Sequence, residues 1–358
     1  MKKVAILGAN GQVGCEVALF LRQRDDIEVV PICRNRQGSA FLRHMGFSCR
    51  HGSASDPNAQ ELFEDCSAVA DFTLPTGSAV EVRRAFNAII PPAVQAAPAR
   101  APYIYLSSIT AFGFPDFRSP LRHYRFSRNS YGTLKRYAEK LVVKHCAGTS
   151  RDAFVLRVGV VHGEMQAVSR KLRQLVRDTA TDPVYIPDAP SYSVFAYSIA
   201  EAVAGAALGR EDPGHYTLVS EPAWSWEDLH RYYAREEGVP CRVERLPADA
   251  ERSALGSVAD RFVAPLLGLV WRQKDVIAGY AGARLPGIED VMRARYHQRN
   301  ARRELALGEM RAQQRPYNNN RSVLPGRRMT CLSDSRVTMA PAAEKLRAEL
   351  AAAQHARR

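Results

Sequence analysis

The feature that most constrains the fold of this 358-residue chain is a glycine-rich turn close to its start. Residues 2–7 form a short apolar run of strand formers that stops at Gly8. Gly11 and Gly14 follow, and from Cys15 onward apolar residues recur at helical spacing. Strand, glycine turn and helix in this order predict a loop whose backbone approaches a pyrophosphate, bound by free N–H groups at the helix start. The alternative is a tight turn with a structural role alone.

The end of the second predicted strand, 27–33, bears on which dinucleotide would bind. A site that prefers NAD carries a carboxylate there for the ribose 2′-hydroxyl, whereas this chain has Arg34 and Arg36. An arginine pairs with a 2′-phosphate through two charge-assisted hydrogen bonds, so we expect NADP(H), with NAD(H) as the alternative. The less favoured interpretation is that both arginines are solvated loop residues. Three further loop residues are expected to contact the dinucleotide: Asn10, Gln12 and Val13.

A serine pair and a Tyr-x-x-x-Lys motif indicate acid–base chemistry. A predicted strand at 101–106 leads into Ser107 and Ser108, and a predicted helix begins near Tyr131 and Lys135. Residues four apart share one helix face. A lysine ammonium beside a phenol favours the phenolate, so we expect the pKa of Tyr131 to be lowered. Such a tyrosine exchanges a proton with a substrate hydroxyl while hydride moves to or from a nicotinamide.

Together, the glycine turn, the serine pair and the Tyr-x-x-x-Lys motif resemble the short-chain dehydrogenase/reductase superfamily, specifically its extended, epimerase/dehydratase-like branch. The segments SSITAFG at 107–113 and VLRVGVVHG at 155–163 add to this resemblance, which spans roughly residues 1–235. It implies an α/β fold, a Rossmann-type doubly wound parallel sheet with a smaller C-terminal substrate lobe. To this the chain adds a basic C-terminal extension.

The resemblance also implies residue roles. Ser108 would hydrogen-bond the reacting oxygen, Tyr131 would be the acid/base, and Lys135 would hold the nicotinamide ribose and tune Tyr131. Asn87 is the candidate for a fourth residue, an asparagine whose main-chain carbonyl holds a water near the lysine. The proline pair at 91–92 supports this, because a proline in a helix clashes with the carbonyl four residues back. The alternative is that the pair breaks or starts a helix.

Some positions depart from the family pattern. Ser53 stands where the family has an aspartate touching adenine, and Leu74 lies in a turn, 71–77, that lacks the family's small residues beside the cofactor. Both are kept as expected cofactor contacts, with weakened affinity. Ile109 and Thr110 occupy the positions of the Asp-Glu pair with which dehydratases of this branch remove water. A 4,6-dehydratase is therefore disfavoured.

The predicted domains separate the charge of the chain. We expect an NAD(P)-binding domain at 1–163, completed by about 193–219, a substrate lobe from 164–192 and 220–308, and a basic tail at 309–358. Residues 291–358 hold 15 Lys+Arg against 5 Asp+Glu, so most of the net charge of +13 lies there. The tail ends in a helix pattern at 341–358, but partial disorder is the expectation for so basic a segment, and nucleic-acid binding is the less favoured alternative. The cationic residues available for a substrate diphosphate are Arg170, Lys171, Arg173, Arg245 and Arg272.

Several classes of protein are disfavoured. The apolar run after Met1 is too short for a signal-peptide core, and no run approaches the ~20 residues of a membrane span. The seven cysteines contain no Cys-x-x-Cys, and the nine histidines show no paired-ligand spacing, so neither a disulfide framework nor a metal site is indicated. A reducing cytoplasm is the expected location.

From these features we expect an NAD(P)-dependent oxidoreductase that transfers hydride at a keto or hydroxyl carbon. The expected partner is a small-molecule substrate, a nucleotide-linked or otherwise activated sugar, and ketoreduction is favoured because Arg34 suggests NADPH. The alternatives are an epimerase with retained cofactor, a reductase of a non-sugar ketone, and a non-catalytic nucleotide sensor or scaffold. A homodimer is the expected assembly.

Overall fold

A computed structural model describes residues 1–111, 130–179, 183–187, 190–220, 223–246, 327–329, 332 and 335–355. Its centre is a seven-stranded parallel sheet of order β10-β6-β5-β4-β1-β2-β3. These strands are β1 (Lys2–Leu7), β2 (Ile27–Cys33), β3 (Arg50–His51), β4 (Ala68–Asp71), β5 (Tyr103–Ser108), β6 (Ala153–Val158) and β10 (Gly214–Leu218). The middle strands β4 and β5 are buried along their whole length, as expected when helices cover both faces of a parallel sheet.

Nine helices are described around the sheet. They are α1 (Gln12–Arg22), α2 (Ala40–His44), α3 (Ala59–Phe63), α4 (Ala79–Ala96), α5 (Ser130–Gly148), α6 (Ala167–Asp178), α7 (Ala196–Ala207), α8 (Trp226–Glu236) and, after the undescribed residues, α9 (Ser335–His355). Helices α1, α7 and α9 share a core with one face of the sheet, and α3, α4 and α5 with the other. The predicted doubly wound Rossmann-type sheet is confirmed.

Two small parallel sheets lie outside the main one. One pairs β7 (Val160–His162) with β9 (Ser193–Phe195), and the other pairs β8 (Val184–Pro187) with β11 (Val243–Leu246). Helices α6 and α8 enclose a separate apolar cluster that includes Leu172, Trp224 and Tyr233. Ser225 caps the start of α8 and forms a capping box with Asp228. Most of the predicted substrate lobe, including 247–308, lies outside the described residues.

Helix α4 continues through both of its prolines. Ser78 starts it with a capping box, and the helix runs to Ala96 with Pro91 and Pro92 inside it. The alternative, that these prolines break or start a helix, is therefore wrong. A proline has no N–H, so Pro91 cannot donate the intrahelical hydrogen bond that the Asn87 carbonyl would otherwise accept.

The described part of the basic tail contains helix α9, whereas 309–326 lie outside the described residues, so partial disorder of the tail stays a prediction. Helix α9 presents Met339, Ala343 and Leu346 at helical spacing, and all three are buried. Arg22 on α1 donates to Glu349 at 2.5 Å, which links α9 to α1. This apolar stripe explains why α9 packs against the rest of the protein, and in the sequence the basic charge of the tail obscures the stripe. No helix among the described residues is long and apolar enough to cross a bilayer.

Candidate active site

The glycine turn is packed too closely for side chains. Gly8 has φ +72°, a conformation that favours glycine, and Gly11 donates its N–H to the Gly8 carbonyl at 2.9 Å. A Cβ on Gly14 would lie 2.5 Å from the Gly8 oxygen, and one on Gly8 would lie 3.0 Å from the carbonyl carbon of Phe72. The turn therefore holds the start of α1 directly against the ends of β1 and β4.

The start of α1 fits a dinucleotide pyrophosphate. Gly11 precedes the helix without a side-chain cap, and no acidic residue lies in the first turn. The first amides of a helix have no intrahelical acceptor and carry the positive end of its dipole, so they suit an anion. Asn10 and Gln12 are exposed at this turn, and Val13 is partly buried.

Both predicted arginines lie in the loop after β2. Arg34 and Arg36 directly follow β2, next to the glycine turn, and both are exposed. The loop is fixed beneath them, because the Arg36 carbonyl accepts from Ser39 Oγ at 3.0 Å and from Arg43 at 3.1 Å. No carboxylate occupies the end of β2.

The two departures from the family pattern have different surroundings. Ser53 is part of a turn in which its N–H donates to Asp56 Oδ2 at 2.7 Å, so a carboxylate does lie beside it. Asp56 lies three residues beyond the position at which the family has its aspartate. Leu74 is 53% exposed on the segment after β4, where its side chain is available to an apolar part of a ligand.

Tyr131 and Ser108 meet at the carboxyl edge of the sheet. Ser108 ends β5, and its side chain hydrogen-bonds the Tyr131 phenol from α5. Burial raises the pKa of Tyr131 above its usual value of 10, and the hydrogen bond with Ser108 opposes this. The expected lowering of the Tyr131 pKa by Lys135 is therefore not seen, because burial outweighs the other effects. Of the motif at 107–113, Phe112 and Gly113 lie outside the described residues.

Lys135 lies one turn after Tyr131 and is almost fully buried, with 4% exposed. Its Nζ donates to the Leu106 carbonyl at 2.8 Å and to Tyr105 Oη at 3.3 Å. Burial lowers the pKa of Lys135 to about 8, and the nearby carboxylates of Asp71 and Glu139 oppose this. The Lys135 ammonium thus lies on the buried side of the candidate site.

A buried ion pair behind Lys135 was missed by the sequence reasoning. Glu139 accepts two hydrogen bonds from Arg157, at 2.9 and 2.7 Å, and one from Ser107 Oγ at 2.5 Å. The available signal was spacing, since Glu139 follows Lys135 by one helical turn. This pair fixes α5 to the ends of β5 and β6.

Asn87 lies on α4, and its side chain faces solvent. Its side chain is exposed and donates to Tyr137 Oη at 2.6 Å and to the Arg83 carbonyl at 2.8 Å. Any contribution to the site thus depends on its main-chain carbonyl, as predicted.

The cationic candidates of the lobe are partly used by the protein itself. Arg173 bonds Glu164 at 2.8 Å, and Arg170 donates to the Met165 carbonyl at 2.6 Å. Lys171 is exposed on α6, and Arg245 is on β11. Arg272 lies outside the described residues.

Comparison with known proteins shows a partial match in sequence. A family model described as the N-terminus of dihydrodipicolinate reductase matches residues 2–94, which comprise the glycine turn and the first four strands. No curated protein matches the sequence significantly.

Comparison of folds shows broader similarity. A UDP-N-acetylglucosamine 4-epimerase from Bacillus cereus aligns with 15% identity and a TM-score of 0.52, covering 70% of this chain and 91% of the epimerase. A UDP-Glc/GlcNAc 4-epimerase from Campylobacter jejuni aligns with 15% identity and a TM-score of 0.51, covering 76% and 100%. A Bacillus cereus UDP-glucuronic acid 4-epimerase, solved with UDP-glucuronic acid and NAD, aligns with 15% identity and a TM-score of 0.50, covering 68% and 86%. At these identities the similarity establishes the fold.

Proposed function

We propose that the protein is an NAD(P)-dependent oxidoreductase of the short-chain dehydrogenase/reductase type, acting at a keto or hydroxyl carbon. The observation that carries the proposal is the hydrogen bond between Tyr131 and Ser108, with buried Lys135 on the next turn of the same helix. These three side chains lie at the edge of the sheet where the glycine turn of β1 also lies. A purely structural turn needs no acid/base tyrosine beside it.

Each group has a defined task in this proposal. The amides at the start of α1 bind the pyrophosphate, and the nicotinamide supplies or accepts the hydride. Tyr131 gives a proton to, or takes one from, the substrate oxygen, which Ser108 holds by a hydrogen bond. Lys135 has three N–H donors, of which Leu106 and Tyr105 use two, and we assign the third to the nicotinamide ribose.

Asn87 is kept as an auxiliary residue of this site. Because Pro91 cannot donate to the Asn87 carbonyl, that oxygen is available to a water that reaches Lys135. A crystal structure with this carbonyl in a direct hydrogen bond to another protein group would contradict the assignment.

For the substrate we propose a sugar nucleotide or other activated sugar, bound by a lobe built from 164–192 and 220–308 beside the nucleotide domain. Support comes from proteins of the same fold that act on UDP-sugars, one of them solved with UDP-glucuronic acid and NAD. Reduction of a ketone with NADPH is favoured because β2 ends without a carboxylate and is followed by Arg34 and Arg36. The protein would act in the cytoplasm as a homodimer.

An epimerase with retained cofactor is the second candidate, favoured by the same structural similarity. The two reactions differ in stoichiometry, because a reductase consumes NADPH and an epimerase consumes none. The test incubates the purified protein with UDP-sugars and 4-keto sugar nucleotides, following NADPH and NADH absorbance and the isomer composition together. Denatured protein is also analysed for released dinucleotide.

The decisive variant is Tyr131→Phe, which keeps the ring and removes the proton. Tyr137→Phe is the matched control, because Tyr137 lies on the same helix and its hydroxyl accepts a hydrogen bond from the exposed Asn87 side chain. We expect loss of turnover in Tyr131→Phe alone. Unchanged turnover in Tyr131→Phe on the substrate found would refute the catalytic assignment.

The dinucleotide preference is tested separately through dissociation constants. In Arg34→Ala we expect the affinity for NADPH to fall relative to that for NADH, since a 2′-phosphate partner is lost. Arg84→Ala, at an exposed position on α4, is the control for a general loss of positive charge. A ratio that does not move in Arg34→Ala, or that moves equally in the control, contradicts the NADP(H) assignment.

A further inference from the structure

Asp71 is a fully buried carboxylate in the candidate site, and the sequence reasoning gave it no role. It ends β4, and none of its surface is exposed. Its Oδ2 accepts from Tyr103 Oη at 2.7 Å, and its Oδ1 accepts from the Thr73 N–H at 2.8 Å. Both donors are neutral. A buried carboxylate is costly unless a cation balances it, so its counter-ion must come from another element.

The sheet places Asp71 on the same face as Lys135. Asp71 is paired in register with Tyr105 on β5, and paired residues of a parallel ladder point to the same face. Lys135 covers this Tyr105, with its Nζ 4.9 Å from the ring centroid and hydrogen-bonded to the hydroxyl. The carboxylate and the ammonium therefore lie on the same face beside Tyr105, Asp71 with none of its surface exposed and Lys135 with 4% exposed.

Charge balance identifies Lys135 as the counter-ion of Asp71. Glu139, the other carboxylate beside Lys135, already has a cation, because Arg157 binds it through two nitrogens. Burial raises the pKa of the Asp71 carboxyl, the hydrogen bonds from Thr73 and Tyr103 oppose this, and among the cations of the described residues the charge of Lys135 opposes it too. Two carboxylates and two cations thus form a neutral buried set.

We propose that Asp71 is a positioning residue that keeps Lys135 in the site as a buried ammonium. The inference rests on the proposed function, in which that ammonium holds the nicotinamide ribose. Asp71 also fixes the segment after β4 through Thr73, and this segment contacts the glycine turn, since a Cβ on Gly8 would lie 3.1 Å from the Thr73 nitrogen. One carboxylate therefore links the lysine to the backbone around the cofactor loop.

The titration of Lys135 provides the measurement. Burial lowers its pKa to about 8, and the Asp71 carboxylate opposes this lowering. Removing that charge lowers the pKa further, so the amine becomes neutral at a lower pH. The titratable and charged groups around Lys135 are Asp71 on β4, Tyr103 and Tyr105 on β5, Tyr131 and Glu139 on α5, and Arg157 on β6.

The sign of the effect on stability follows from proton binding. Between about 8 and the lysine value of the unfolded chain, about 10.4, the unfolded chain binds the proton and the folded chain does not. Stability from Lys135 therefore rises with pH through this window, and the rise begins at the folded-state pKa. Lys135→Met lacks this rise, so the difference between the two urea-denaturation curves isolates Lys135.

The experiment compares Asp71→Asn with Tyr103→Phe, each with and without Lys135→Met, in the full-length chain between pH 6 and 10. The first variant removes the charge, and the second removes one hydrogen bond to Asp71 and keeps the charge. We expect the Lys135-dependent rise to begin at least one pH unit lower in Asp71→Asn and within half a unit of wild type in Tyr103→Phe. Equal onsets in wild type and Asp71→Asn overturn the proposal.

A second comparison at pH 7 covers the case in which Asp71→Asn does not fold. Lys135→Met leaves the carboxylate without its cation, and adding Asp71→Asn to it removes that unpaired charge. We expect the double variant to have a higher urea midpoint than Lys135→Met alone. A lower midpoint in the double variant contradicts the pairing. Neither readout needs a substrate, so the two proposals can fail separately. If Tyr131→Phe is inactive and the Lys135-dependent rise begins at the same pH in wild type and Asp71→Asn, only the role of Asp71 is rejected. If Tyr131→Phe is active and the rise begins at a lower pH in Asp71→Asn, only the proposed function is rejected.

Discussion

Replacing Gly14 with alanine tests whether close packing of the glycine turn governs both stability and dinucleotide binding. The added Cβ would lie 2.5 Å from the Gly8 carbonyl oxygen, which is backbone and cannot rotate away. Ordinary contact begins near 3.4 Å, so α1 and the turn must separate by about 0.9 Å. That displacement moves the same amides that would bind the pyrophosphate.

The magnitude follows from two opposing effects. Alanine is the better helix former, which alone would stabilise the protein by about 0.5–1 kcal/mol. Overpacking a tight site costs about 1–3 kcal/mol, so the net result is destabilisation despite the favourable propensity. For NADPH affinity we expect at least a tenfold loss, since about 1.4 kcal/mol of lost binding free energy corresponds to that factor.

Gly148→Ala is the matched control, because Gly148 also lies in a helix and a Cβ there meets nothing within 4 Å. Urea denaturation followed by tryptophan fluorescence measures stability, and NADPH fluorescence measures affinity. We expect Gly148→Ala to match or exceed wild type in stability and to bind NADPH normally. Wild-type affinity in Gly14→Ala, or equal destabilisation in both variants, would refute the packing argument.

Three further outcomes follow from buried groups. Arg157→Met leaves the Glu139 charge buried without its cation and should lower the free energy of unfolding by about 3–5 kcal/mol at pH 7, with part recovered on adding Glu139→Gln; no recovery would show that packing alone was lost. Leu346→Ala, at a fully buried position of α9, should cost about 2–5 kcal/mol in urea denaturation, whereas an unchanged midpoint would mean that α9 does not dock. The pKa of Glu16 is raised by burial from 4.5 to about 7, so the folded chain binds more protons in this window and stability falls as pH rises through it. Glu16→Gln should remove that fall, and a fall that persists in the variant would assign it to another group.

The nucleotide half of the fold follows from local sequence signals. The first strand, the glycine turn and the second strand appear at the predicted positions because apolar runs and glycines report backbone demands directly. The cap at Ser225 is equally local, since hydroxyl and carboxylate three residues apart satisfy each other's N–H groups. Family resemblance implied the roles of Ser108 and Tyr131, but their contact depends on tertiary packing, because no local pattern brings a strand end to a helix start.

The groups that the sequence reasoning missed are those whose partners are distant in the chain. Asp71 reads as the end of an apolar strand, and its relation to Lys135 depends on the strand order, which places β4 beside β5. Glu139 reads as one charge of an exposed helix until Arg157 of β6 is placed opposite it. The helix pattern of 341–358 is visible in the sequence, but the docking of α9 is not, because its apolar stripe matters only once α1 and α7 provide a surface.

The same buried charges determine which group limits function at alkaline pH. Above pH 7, Lys135 loses its proton before Tyr131, since burial lowers the lysine pKa to about 8 and raises that of the phenol above its usual value. An ammonium that has become neutral is a weaker partner for the nicotinamide ribose, so NADPH affinity should fall as pH rises through about 8. The measurement is the dissociation constant between pH 6 and 9, with Lys135→Met as the control. We expect weak binding with no such dependence in Lys135→Met; a fall near pH 8 that survives in this variant would assign the titration to a different group.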